Sequence, residues 1–194
     1  MTRKRLLSIA GLSLGLALLG AAAMTYATWP DNALGVYLHE RRNREANIRA
    51  LEWRITQEAD PTSHAFYQAW LAEEKGDLER AIRGFQSLRD GTPGSSALYL
   101  KSSLRLGLAY GRNGQSDQEL AVYQGLMRLY PGQSRLSQAM YHLRKGDRDQ
   151  ARRLLDNALA RDARDGSLGS DRQFAAFLRA GLGPTQSEHS PSSP

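Results

Sequence analysis

The chain opens with a long apolar run and continues with segments in which apolar and polar residues follow helical spacing. Residues 6–28 carry no formal charge, and as a helix these 23 residues would extend over roughly 34 Å, which is enough to cross a bilayer. Arg3, Lys4 and Arg5 precede the run, and such basic residues remain on the cytoplasmic side. We therefore expect residues 1–29 to form a membrane anchor and the rest of the chain to be exported.

A cleaved signal peptide is the alternative for this segment. Ala21, Ala22 and Ala23 offer the small side chains that a cleavage site needs. Retention is favoured because the run is longer than the core of a signal peptide, which has about 7 to 15 residues. Gly11 and Gly15 form a small-xxx-small pair, which would allow two membrane helices to approach closely and dimerise.

After the anchor, proline and glycine divide the chain into helical lengths, and no segment alternates with a period of two. Residues 43–58 place Ile48, Leu51 and Ile55 on one side of a helix, with charged residues on the other. The sequence predicts an all-α protein, in which residues 30–60 form a helical stalk and cover the start of the domain.

A Gly-Asp turn followed by an alanine occurs twice in the middle of the chain, at residues 76–81 and 146–151, and an apolar helical segment follows each copy. Between them lies the sequence Leu-Gly-Leu-Ala-Tyr, residues 106–110, followed by Gly114 and by Pro131. These features resemble tetratricopeptide repeats, in which a helix with Leu-Gly and a later Tyr precedes a glycine turn, and a proline closes the unit. The turn glycines are 38 and 32 residues apart, on either side of the family's 34-residue period.

The resemblance implies a solenoid of about three helical pairs over residues 61–166, because a single pair has too little apolar surface to be stable alone. Two departures stand out: Ala163 replaces the closing proline of the third pair, and Glu119 occupies the small position that Ala81 and Ala151 fill. The glutamate leads us to expect shifted helix boundaries in the second pair. Residues 167–183 should form a capping helix with Asp171 as its N-cap, and the polar residues 184–194 a disordered tail.

The resemblance also implies a partner-binding groove on the first helix of each pair. Three successive i,i+4 apolar pairs would form its floor, with charged residues at its edges. The predicted groove residues are Phe66, Trp70, Glu73, Lys101, Leu104, Leu108, Arg112, Leu136, Met140 and Arg144. Two alternatives remain open: the stripe is core, or the C-terminal helix fills the groove with Phe174 and Phe177.

The amino-acid composition excludes several kinds of functional site. The chain has no cysteine, which excludes disulfides, thiolate metal sites and a thiol nucleophile. Three of the six excess positive charges precede the apolar run and the others are interleaved with acids, so we expect no nucleic-acid partner. The four histidines lack metal-ligand spacing and no phosphate loop or nucleophile motif occurs, so we expect no cofactor, no metal and no enzymatic activity.

We therefore expect a membrane-anchored scaffold that binds a protein partner during assembly or maturation of a periplasmic or membrane complex. The 22 Arg against 4 Lys favour a GC-rich Gram-negative bacterium, with the domain in the periplasm. The layout is similar to cytochrome c and methanol dehydrogenase maturation factors. The alternatives are a permanent structural subunit of an inner-membrane complex and, after signal cleavage, a soluble periplasmic protein.

Overall fold

The computed structural model describes residues 33–183, with side chains from Arg42 onward. The predicted anchor with its Gly11 and Gly15 pair, and the predicted tail at residues 184–194, lie outside these residues. Contacts divide the chain into two compact units, Met1–Trp53 and Arg54–Pro194. Among the helices of residues 33–183, none combines the length and the hydropathy that crossing a bilayer requires.

The described residues are helical, with no strand among them, which confirms the all-α prediction. A first helix is followed by three consecutive helical pairs (the first, second and third pair) and a final helix. The helices are α1 (Ala33–Gln57), α2 (Pro61–Lys75), α3 (Leu78–Gly91), α4 (Ala97–Arg112), α5 (Ser116–Gly125), α6 (Pro131–Arg144), α7 (Arg148–Asp165) and α8 (Arg172–Gly181). Each helix from α2 to α8 packs against the next, as expected for a tetratricopeptide-like stack.

The turn inside each pair is built around a left-handed glycine. Gly76, Gly114 and Gly146 have φ angles of 86°, 76° and 80°, which residues with a side chain rarely adopt. In the first and third pairs the next residue is an aspartate, Asp77 or Asp147, whose carboxylate accepts a hydrogen bond from a main-chain N–H in the first turn of the second helix. These local signals explain why the sequence located all three turns.

The interior is made of two apolar clusters in which small residues let the paired helices approach. The first cluster joins α2, α3 and α4 around Phe85 and Leu106, and the second joins α6, α7 and α8 around Leu155 and Leu168. Ala81 lies in the first cluster, where it has no exposed surface. The three pairs therefore share a continuous series of helix contacts, as stacked repeats require.

The last helix, α8, is tied to α7 by arginines. Arg152 donates a hydrogen bond to the carbonyl oxygen of Leu182 at 3.0 Å, and Arg179 donates one to Asp156 at 2.5 Å. Ala175 of α8 is fully buried. Asp171 stands at the predicted N-cap position, but its side chain makes no capping hydrogen bond there. Helix α8 is thus held on α7 by these hydrogen bonds and by the burial of its apolar side.

Candidate partner-binding surface

Four of the predicted groove residues line one apolar pocket between neighbouring pairs. Leu104 and Leu108 come from α4, Leu136 and Met140 come from α6, and the pocket between them has a volume of about 180 Å³. Tyr123 also lines it. We call this site, defined by these five residues, the α4–α6 pocket. Its lining is mostly apolar, so it suits an apolar side chain.

The pocket exists because another side of α4 packs closely on the first pair, α2 and α3. Leu106 and Ala109 are fully buried, which turns Leu104 and Leu108 away from the core. A Cβ atom at Gly107 would lie 2.3 Å from the ring of Tyr123, so only glycine allows this ring to lie against α4. The Leu-Gly pair of the sequence motif therefore positions the tyrosine that forms part of the pocket.

Helix α8 forms one wall of the α4–α6 pocket without filling it. Phe174 and Asp171 both line the pocket, and Phe174 remains 44% exposed. Phe177 is 74% exposed. The alternative in which the C-terminal helix fills the groove therefore holds only in part. Phe174 forms a wall of the pocket, and Phe177 is exposed to solvent.

The predicted floor does not continue into the first pair. Phe66 is only 7% exposed and packs edge-to-face on Phe85, with ring centroids 5.7 Å apart, so it is a core residue. Trp70 is partly buried: its indole N–H donates to Glu74 at 3.0 Å, and the guanidinium of Arg105 lies 3.9 Å above the ring centroid. A stripe at helical spacing cannot distinguish a groove from a contact with another helix: Phe66 packs on α3, and Trp70 lies against Arg105 of α4.

Glu73, predicted at the edge of the groove, is buried instead. It is 2% exposed and accepts hydrogen bonds from Arg105 at 3.0 Å and from Arg112 at 3.3 Å, both on the second pair. The carboxylate is therefore unavailable to a partner, and the guanidinium of Arg112 already has an acid beside it. Together these residues link the first pair to the second.

Glu119 makes the corresponding link from the second pair to the third. Its buried carboxylate accepts a hydrogen bond from Arg144 of α6. Room for it comes from Gly111, where a Cβ atom would lie 2.4 Å from the carboxylate oxygen. Burial and the negative charge of Glu119 raise the pKa of the Tyr123 hydroxyl, while Arg144 opposes this.

The expectation of shifted helix boundaries is wrong. The second helix of each pair begins two residues after the turn glycine, at Leu78, Ser116 and Arg148. Glu119 therefore occupies the same position as the alanines of the other pairs. Gly111 on the facing helix compensates for the larger side chain.

A third link joins the third pair to α8. Asp162 is buried, accepts a hydrogen bond from the main-chain N–H of Leu168 at 2.6 Å, and lies 3.5 Å from the guanidinium of Arg172. In all three links, which we call the inter-pair ion pairs, a buried acid pairs with an arginine of a later helix. Removing one partner of a fully buried pair typically costs about 3–5 kcal/mol, and the cost is smaller here because the arginine side chains are 25–64% exposed.

Lys101 differs from the other cations predicted for the groove. It is exposed, and no carboxylate of residues 42–183 lies within ion-pair distance of it, whereas Arg112 and Arg144 are both paired. In the same part of the chain no group of three acidic or histidine side chains is arranged to bind a metal ion.

Sequence reasoning missed several side chains that line the α4–α6 pocket. Tyr123 of α5 and Gln133 and Ser137 of α6 were not among the predicted groove residues. The available signal was Gly107, because a glycine inside a helix indicates a close approach by another group. Which side chain makes that approach depends on how the helices pack.

Comparison with known protein families supports the repeat assignment for the second helical pair. Residues 101–132, which span α4, α5 and the start of α6, match the tetratricopeptide repeat family model. The match confirms a tetratricopeptide repeat in this part of the chain, as predicted from Gly114 and the Leu-Gly motif. No curated protein matches the chain. Tetratricopeptide repeats are typically scaffolds without catalytic activity that bind protein partners, so the match indicates a role in protein–protein interaction.

Proposed function

We propose that this protein is a membrane-anchored scaffold whose repeat domain faces the periplasm and binds a protein partner during assembly or maturation of a periplasmic or membrane complex. The observation that carries the binding role is the α4–α6 pocket, which presents Leu104, Leu108, Leu136 and Met140 on successive repeats. The location rests on residues 1–29, where a basic triplet precedes 23 uncharged residues. Maturation of a cytochrome c or of methanol dehydrogenase is the kind of process that the layout suggests.

The size of the pocket favours a protein partner over a metabolite. Small-molecule sites usually have volumes of about 300–1,000 Å³, whereas an apolar cavity of about 150 Å³ already admits benzene. The α4–α6 pocket, at about 180 Å³, therefore suits one large apolar side chain. A single buried anchor of this type is characteristic of the energetic centre of a protein interface.

The test is photo-cross-linking in native membranes. A photoreactive amino acid at position 140 should capture a second polypeptide, which mass spectrometry then identifies. Replacing Leu108 with Glu should abolish capture, because a carboxylate would enter the apolar pocket. Leu129→Glu is the matched control, since Leu129 is exposed and does not line the pocket.

The outcomes separate the competing functions. Transient capture that is lost in Leu108→Glu but retained in Leu129→Glu supports the scaffold. Purification at fixed stoichiometry with other membrane subunits would instead establish a permanent structural subunit. Capture that Leu108→Glu leaves unchanged would overturn the role of the pocket, provided that circular dichroism shows an intact helical fold.

A further inference from the structure

Helix α8 presents a large aromatic side chain next to the α4–α6 pocket. Phe177 is the most exposed large apolar residue of the described chain, at 74%. It follows Phe174 by three residues on the same helix, so the two rings lie on neighbouring positions of one helix side. Since Phe174 lines the pocket, Phe177 lies beside the pocket and outside it.

The pocket has the size of the ring that stands next to it. A volume of about 180 Å³ accommodates one phenyl group, by comparison with the cavity of about 150 Å³ that holds benzene. Residues 184–194 contain no phenylalanine or other large apolar side chain. Within residues 42–183 neither the ring of Phe177 nor the mouth of the α4–α6 pocket is covered by another part of the chain.

The charges around the pocket favour a second copy of this chain as the partner. Lys101 lies one turn before Leu104 on α4, and Asp171 lines the pocket beside Phe174. Within residues 42–183 neither side chain has an ion-pair partner. A strongly acidic or basic partner would satisfy only one of them, whereas a copy related by a two-fold axis presents both signs, because a two-fold interface uses the same patch twice.

We propose that two copies of this protein associate through a two-fold contact in which Phe177 of each copy enters the α4–α6 pocket of the other. The contact also places Lys101 of one copy near Asp171 of the other. This proposal rests on the proposed function in one respect, because both place a binding partner in the α4–α6 pocket. The protein partner and the second copy therefore compete for the same pocket. A contact made by one ring and one ion pair from each copy is smaller than a stable interface requires, so the dimer is weak and readily displaced.

The absence of native cysteines makes a direct test possible. Two differently tagged full-length chains, one with Phe177→Cys and the other with Met140→Cys, are co-expressed and treated in membranes with a short bismaleimide. Each chain carries one thiol, so a product with both tags joins two copies. We expect at least tenfold more of this product than from Phe177→Cys paired with Gln86→Cys, because Gln86 is exposed on α3 and does not line the pocket.

A second variant makes the cross-link specific for the pocket. Leu108→Glu introduced into the Met140→Cys chain should reduce the yield to that of the control pair. In detergent solution, Phe177→Glu should raise the dissociation constant of the dimer at least tenfold by analytical ultracentrifugation, with unchanged helix content because Phe177 is exposed. Equal yields from the two cysteine pairs, or a dimer unaffected by Phe177→Glu, would overturn the proposal.

The two proposals fail separately. If the photoreactive group at position 140 captures only a second copy, the dimer stands and the scaffold function does not. If it captures another protein while the two cysteine pairs cross-link equally, the scaffold stands and the dimer does not.

Discussion

The substitution Gly111→Ala tests how the second pair accommodates a glutamate in a position that is alanine in the other two pairs. In most helices a glycine-to-alanine change stabilises the protein by about 0.5–1 kcal/mol, because alanine loses less backbone freedom. At this position the new Cβ atom would lie 2.4 Å from a carboxylate oxygen of Glu119 and 2.7 Å from its carbon. The carboxylate end of Glu119 would have to move, which disturbs its buried pairing with Arg144.

The expected magnitude follows from what Glu119 loses. Its side chain is 3% exposed and pairs with Arg144, whose side chain is 46% exposed. Disrupting a buried pair costs about 3–5 kcal/mol, but the half-exposed arginine can be hydrated. We therefore expect Gly111→Ala to destabilise the protein by about 2–4 kcal/mol, which is opposite in sign to the usual effect.

Thermal unfolding of the full chain, followed by circular dichroism, measures this effect. Gly125→Ala is the matched control, since a Cβ atom added at this glycine would have no neighbouring atom within 4 Å, and its φ is −60°. In a Glu119→Ala background the clash disappears, so Gly111→Ala should become neutral or stabilising there. An effect that is as mild as that of Gly125→Ala, or equally large in both backgrounds, would refute the reasoning.

Two further predictions concern stability. Arg105→Ala should destabilise the protein by about 2–4 kcal/mol, because it leaves the buried Glu73 with a single arginine and removes the cation above Trp70. The control Arg83→Ala breaks an exposed ion pair and should cost under about 0.5 kcal/mol. Equal shifts in melting temperature for the two variants would contradict this prediction. Asp60 caps α2 through a hydrogen bond from the main-chain N–H of Ser63, which lowers the pKa of the Asp60 carboxyl below 3.8. The stability that the ionised Asp60 contributes is therefore present above pH 3.8 and is lost as the pH falls through the lower pKa of the folded state. Asp60→Asn should have the melting temperature of the wild type at pH 7. On acidification to about pH 2 its melting temperature should fall less than that of the wild type, because asparagine caps the helix without a charge.

The sequence was sufficient for the features that depend on local conformation. Gly76, Gly114 and Gly146 were predicted as turns, and each has the left-handed backbone that favours glycine. The helix stops followed from the same residues. These features are readable because each of them depends on a few adjacent residues.

The features that the sequence did not reveal depend on two helices at once. Glu119 is compatible with its position only because Gly111, eight residues earlier on the facing helix, leaves space for its carboxylate. Phe66 was assigned to the groove because helical spacing identifies one side of α2 but not the residues that face this side. In the structure Phe85 of α3 faces it. Leu104 and Leu108 were predicted with the same rule, and they line a pocket because no helix of the described chain covers them.

The inter-pair ion pairs give the stack a direction, because each acid belongs to the earlier element and each arginine to the later one. If the second repeat were deleted, Glu73 would face the third repeat, in which Arg144 has the same position relative to its turn glycine as Arg112 has in the second. Such a shortened protein would already contain a cation for the exposed end of the first repeat. Glu73 would then keep one arginine partner instead of two, because Ser137 of the third repeat stands where Arg105 stands in the second.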